Sequence, residues 1–210
     1  MPETPYTLID IIRHGEPLGG KRYRGQIDDP LSDKGWQQMR DAVADHKPWH
    51  VIITSPLMRC AAFARELSDR HNIPLEFEER ITEIRWGQWE GSTPAELNAD
   101  DPLTVVRALR DPIKQRPSDA EDINEFQQRI ISAWQDLTSR HREKHILVVA
   151  HAGVIRAVLT YLLQIPVENM FRIHVPNASI TRIQIDLHDD EPFVKLMFHG
   201  GSMPARQQSN

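Results

Sequence analysis

Thr7-Leu8-Ile9-Asp10-Ile11-Ile12-Arg13-His14-Gly15, residues 7–15, is the stretch on which the reading of the fold turns. Its first six residues are mostly apolar and β-branched, the composition of a short strand buried in a sheet. It breaks at Arg13-His14-Gly15, where glycine permits a turn and two side chains able to carry charge follow directly on a core element. A second stretch repeats the arrangement. Ile146-Leu147-Val148-Val149-Ala150 is a continuous apolar run, as in a strand covered on both faces, and it stops at His151-Ala152-Gly153.

Outward from these two strands the text alternates. Ser32 is placed to cap an amphipathic helix running to Asp45, Val51-Ile52-Ile53 supplies another strand, and Ser55-Pro56 reads as a cap with proline at the first helical position. Helical spacing at Leu57, Cys60, Ala61, Ala64 and Leu67 then continues to about Arg70. A helix from Gly153 to Leu163 follows the second histidine, and the chain closes with alternating segments at Ser179 to Asp186 and Phe193 to Phe198, read as strands at or near a sheet edge. Gly200 to Asn210 is polar and reads as a loose end. The middle is different. From Trp89 to about Pro117 it is rich in Pro, Asp and Arg with weak periodicity, and Ile123 to His141 is helical. The order β-α-β-α, with β-α recurring late, predicts one α/β domain over residues 1–210. Its middle, about 89–120, is a helical excursion above the carboxyl ends of the strands, where ligands of such sheets bind.

Composition narrows the function. The chain has 210 residues, 40% of them hydrophobic, enough for a core without metal or disulfide staples. Its single cysteine, Cys60, allows no internal disulfide and fits a reducing compartment, so a cytoplasmic protein is expected. No signal peptide and no membrane span are read in it. The formal charge of −5, with arginines scattered along the chain, argues against nucleic acid as a partner. A homodimer is the default expectation for oligomeric state.

Beyond the carboxyl ends of neighbouring parallel strands lies one shared crevice, so His14 and His151 are expected to meet. Either histidine alone would be read as a polar residue leaving the core; two in matched settings point to a site. Arg59 falls in the first turn of the helix after Ser55-Pro56, at the same edge of the sheet, beside free backbone N–H groups. Arg13 and Arg59 together offer planar, bidentate donors suited to phosphate. Glu83, in Glu83-Ile84-Arg85-Trp86-Gly87-Gln88-Trp89-Glu90-Gly91, sits among tryptophans and glycines, the setting of a tight and partly desolvated loop in which a carboxyl group can serve as an acid. Other chemistries fit less well. Cys60 lacks the arginine six places on that a cysteine phosphatase loop requires, since Glu66 stands there. The ten histidines form no His-Glu-x-x-His, and there is no Gly-Lys-Ser/Thr phosphate loop.

Arg13-His14-Gly15-Glu16, Ser55-Pro56-Leu57-Met58-Arg59, Glu83 with its following Gly-Gln-Trp-Glu-Gly, and His151-Ala152-Gly153 resemble, in order, the motifs of the histidine phosphatase superfamily, also called phosphoglycerate mutase-like. The resemblance spans roughly Leu8 to Ser179 and is nearest to the α-ribazole phosphatase-like branch. It implies a three-layer α/β sandwich with a mixed, mostly parallel sheet, no metal or other cofactor, and a covalent phosphohistidine. It implies His14 as nucleophile and Glu83 as general acid and base. Arg13, Arg59 and His151 would hold phosphoryl oxygens, with Gly15 and Ala152 at the phosphate and Glu16 in support. The substrate implied is a small phosphorylated metabolite, α-ribazole 5′-phosphate being one candidate. A phosphoglycerate-type mutase and a non-catalytic phospho-ligand module are the alternatives. The chain departs from the family pattern after Glu16, where Pro17 follows and the loop Leu18-Gly19-Gly20-Lys21 lacks the family's asparagine. Arg24 is the residue placed to replace that donor, and Trp86 or Trp89 could form an aromatic wall for a nucleoside.

Overall fold

The computed structural model describes residues 5–187 and 192–203. β1 (Tyr6–Arg13) is followed by α1 (Asp33–Val43), β2 (Val51–Thr54), α2 (Met58–His71) and β3 (Leu75–Phe77). The middle holds α3 (Pro94–Leu97), α4 (Thr104–Arg110) and the long α5 (Ile123–Arg140), with single 3-10 turns at Glu79–Ile81 and Gly87–Trp89. β4 (His145–Ala150), α6 (Ala152–Leu162), a 3-10 segment Val167–Arg172, β5 (Ile180–Asp186) and β6 (Phe193–Gly201) complete it.

The strands form one six-stranded sheet in the order β3-β2-β4-β1-β5-β6. β3, β2, β4 and β1 are parallel, while β5 runs antiparallel to β1 and β6 antiparallel to β5. Side chains alternate across the pleat. Ile9, Ile11, Val51, Ile53, Ile146 and Val148 face the layer built by α5 and α6. Ile12, Ile52, Leu147 and Val149 face the layer built by α1 and α2. This is the mixed, mostly parallel α/β architecture that the sequence implies. The neighbours β1 and β4 send their following helices to opposite faces, α1 to one and α6 to the other, which opens a crevice at their carboxyl ends.

Two local expectations are corrected and one strand is added. Ser55 is not the cap of α2: the helix starts at Met58, whose N–H donates to the Asp28 carboxylate at 2.6 Å, and the Ser55 hydroxyl turns toward His151. β3 is an added strand of three residues, held by parallel pairing to β2. Gly200 and Gly201 extend β6 and Met203 is buried, so the tail does not loosen there; residues 204–210 lie outside the described set. Ser32, by contrast, caps α1 as expected, its oxygen accepting from the Gly35 N–H.

No helix among the described residues is long and apolar enough to cross a membrane.

Candidate active site

The carboxyl ends of β1, β2 and β4 and the start of β5 are stitched together by the main chain. The His14 N–H donates to Ala150 O, the Ser55 N–H to Val149 O and the Arg13 N–H to Ser179 O, each at 3.0 Å. The turn after β1 is clasped to the start of α1: a Cβ on Gly15 would stand 2.2 Å from Gly35 O, and one on Gly35 would stand 2.1 Å from Glu16 O. Two backbones approach there as only glycines allow.

His14 and His151 converge. Their ring centroids are 5.2 Å apart, edge to face. The Nδ1 of His14 lies 2.8 Å from Gly15 O, and a carbonyl only accepts, so Nδ1 carries the proton and Nε2 keeps its lone pair. Burial pushes the His14 pKa well below its ordinary value, and the charges of Arg13 and Arg59 push it further. His151 is lowered likewise, by burial first and then by Arg59 and His14. Both rings are therefore neutral at neutral pH.

Arg59 is fully buried, with its Nη atoms on the carbonyls of Ile27 and Gly25 at 2.7 and 2.8 Å. Arg13 donates from Nη1 to Val175 O at 2.7 Å, and burial lowers its pKa to about 10 against the opposing pull of Glu83. The Nε atoms of both arginines are buried without a hydrogen-bond partner among the described residues. Unpaired buried donors cost about 1–3 kcal/mol each, a cost the fold carries at both arginines.

Glu83 sits opposite, on the positive end of α6. The Gly153 N–H lies 3.1 and 3.3 Å from its two carboxylate oxygens. A Cβ at Gly153 would stand 2.2 Å from Oε1, so the glycine makes room for the carboxylate. The loop bearing Glu83 curls around Arg129, which donates to the carbonyls of Arg80, Thr82 and Glu83 and pairs with Glu121. Arg13, His14, Glu16, Arg24, Arg59, Glu83 and Ala152 all line one cavity of about 590 Å³. Pro94, Val105 and Leu109 from the middle of the chain line it too. Among the described residues, no three His, Cys, Asp or Glu side chains gather as a metal site would need.

A family model described as "Histidine phosphatase superfamily (branch 1)" matches residues 9–198. The chain belongs to the histidine phosphatase superfamily. Over 180 residues it is 28% identical to a putative phosphoserine phosphatase 2 of Hydrogenobacter thermophilus, covering 84% of this chain and 88% of that one. Over 179 residues it is 24% identical to an adenosylcobalamin/α-ribazole phosphatase of Salmonella typhimurium, covering 83% of this chain and 89% of that one. Among solved structures, a mycobacterial glucosyl-3-phosphoglycerate phosphatase superposes with a TM-score of 0.82 at 25% identity, over 94% of this chain and all of that one. Like these relatives, this histidine phosphatase is a hydrolase of phosphate esters.

Within this histidine phosphatase, two of the residues picked out from sequence stand elsewhere than expected. His151 has no accessible surface: it lies behind His14, with Nε2 2.8 Å from Ser55 Oγ and 3.6 Å from Cys60 Sγ, and it is not on the cavity wall. Gly15 is likewise off the wall and serves through its carbonyl and its closeness to Gly35. Arg24 is on the wall, but its Nε pairs with Asp29 at 2.9 Å and one Nη holds Leu18 O at 2.6 Å. Trp86 lines the cavity and Trp89 stacks behind it at 5.9 Å. Sequence reasoning missed Arg156, His174 and Asn177, which also line the cavity. Arg156 was the one with a signal, since it falls four residues after Ala152 on the same helix face.

Proposed function

We propose that the protein is a metal-independent phosphomonoesterase working through a phosphohistidine at His14 on a small phosphorylated metabolite. The observation that carries this reading is a neutral, tautomer-fixed imidazole on the wall of a cavity that Arg13, Arg59 and Glu83 also line. The Nε2 lone pair attacks phosphorus while the bond to the leaving oxygen breaks, and Glu83 in its acid form gives that oxygen a proton. Water then attacks the phosphohistidine, Glu83 takes its proton, and the P–N bond breaks to release inorganic phosphate. The Nδ1 proton, held on Gly15 O, steadies the positive charge that the ring carries while phosphorylated. Arg13 and Arg59 face the charge on the equatorial oxygens, fixed in place before reaction by their carbonyl anchors. Ala152, at the first turn of α6, adds backbone N–H character, and His151 backs the nucleophile. Arg24 fills in at the phosphate where the family's asparagine is lacking.

The segment at about 89–120 roofs the cavity in this reading, and a reducing, cytoplasmic setting suits the buried Cys60 thiol. The relatives named for phosphoserine and glucosyl-3-phosphoglycerate support a small phosphorylated metabolite. A second substrate reading rests on the aromatic wall of Tyr23, Trp86 and Phe171, which suits a nucleoside such as α-ribazole 5′-phosphate. The test is release of inorganic phosphate from an aryl phosphate and water in the presence of a chelator, with acid-labile phosphate trapped on His14. Failure to release phosphate without an acceptor alcohol would favour a mutase, and inactivity on every ester would leave a binding module.

A further inference from the structure

The cavity holds more positive charge than one phosphate uses. Six cationic side chains, Arg13, Lys21, Arg22, Arg24, Arg59 and Arg156, line it against two carboxylates, Glu16 and Glu83. Setting aside Arg24, paired with Asp29, and Glu16, paired with Lys34, five cations still face Glu83. Arg13 and Arg59 account for a phosphoryl group. Of the three that remain, Lys21 and Arg22 are exposed and Arg156 is half-buried.

Arg156 projects from α6 and lies over the Phe171 ring, its guanidinium carbon 5.5 Å from the centroid. Its Nε donates to Ile173 O at 2.9 Å, and its two Nη groups make no hydrogen bond among the described residues. Burial lowers its pKa, with Glu83 and Tyr23 pulling the other way. The anchor is informative. Arg13 is tied to Val175 O and Arg156 to Ile173 O, two residues apart on one segment that is extended at Ile173. Two extended residues span at most about 7 Å. The carbonyls that anchor the two guanidinium groups are therefore neighbours, and both groups line the one cavity, placed for a ligand that carries a phosphate and, a short link away, a second small anion.

We propose that Arg156 is a specificity-determining residue that grips a carboxylate on the leaving group, so that the preferred substrates are short phosphorylated carboxylic acids. A planar, bidentate fork suits a carboxylate and adds geometric selectivity. An uncharged nucleoside leaves the Arg156 fork unpaired in a partly desolvated pocket, which disfavours it. This proposal rests on the phosphomonoesterase reading above and narrows it.

The test compares kcat/KM for 3-phosphoglycerate with that for sn-glycerol 3-phosphate, which lacks the carboxylate, in the wild type, Arg156→Gln and Arg156→Lys. The wild type is expected to favour 3-phosphoglycerate by roughly ten- to a hundredfold, the span of a hydrogen bond to a charged group. Arg156→Gln should erase most of that ratio, chiefly through KM, and Arg156→Lys should keep part of it. An equal rate on both esters in the wild type, or a ratio untouched in a folded variant, overturns the proposal alone. The wild-type ratio reads the proposal even where a variant does not fold. No turnover of any ester, an aryl phosphate included, overturns the phosphatase reading and this proposal with it.

Discussion

The imidazoles of His14 and His151 meet edge to face 5.2 Å apart, yet only His14 reaches the cavity. That asymmetry favours His14 as the nucleophile of the proposed reaction. His14→Ala is expected to lower kcat by at least about a thousandfold, as removal of a covalent nucleophile does elsewhere, and to abolish acid-labile phosphate on the protein. Activity within tenfold of the wild type would refute the assignment.

The neutrality of His14 has a pH signature. Its pKa lies well below 6.5, so the ring should stay uncharged through pH 6, where a solvent-exposed histidine is largely protonated. Because the folded-state pKa is the lower one, the fold gains stability from this group above the unfolded pKa and loses it as pH falls toward the folded value. Nitrogen NMR of labelled protein, assigned with His14→Gln, should show one protonated and one bare ring nitrogen at pH 6. An imidazolium there would contradict the carbonyl-fixed tautomer.

Glu83 is expected to matter in proportion to how badly the leaving group needs a proton. Glu83→Gln should cost about 10²- to 10⁴-fold on an alkyl phosphate and much less on p-nitrophenyl phosphate, whose leaving oxygen departs unaided. Equal losses on both would remove Glu83 from proton transfer.

At the middle of β1, far from the chemistry, Asp10 is fully buried and accepts from Trp49 Nε1 at 2.8 Å, His145 Nε2 at 2.8 Å and Arg182 Nε at 2.7 Å. Burial raises its pKa, but the hydrogen bonds from His145 and Arg182 outweigh it and leave the pKa below 3.8. A depressed carboxylate lends stability above its unfolded pKa and loses it as pH falls through the folded one, so this contribution fades in acid below pH 4. Asp10→Asn breaks a buried pair and should cost about 3–5 kcal/mol by urea denaturation at pH 7. A loss under 1 kcal/mol would show the network to be dispensable.

How much of this was readable depended on chain distance and on run length. β1 and β4 announce themselves because a run of five apolar residues, Ile146 to Ala150, and a mostly apolar, β-branched one broken only by Asp10 are the composition of buried strands, and the histidines that end them inherit their place from the strands. β3 has no such run: Leu75-Glu76-Phe77 is a strand because β2 offers it an edge. The start of α2 was misread because Ser55-Pro56 carries a sound capping signal that competes with a stronger tertiary partner, the ring of His151. The partners of Asp10 come from residues 49, 145 and 182, and no local pattern links them. Arg156 was passed over since an arginine on a helix is ordinarily solvated, and His174 and Asn177 lie where the chain has no period at all.

β1 is hydrogen-bonded along its length to β4 on one side and β5 on the other. Its amides can meet solvent only when the central strands part, so they should be among the slowest in the molecule to exchange for deuterium. A nucleophile hung from that strand shares its persistence, and inactivation by urea should coincide with global melting instead of preceding it.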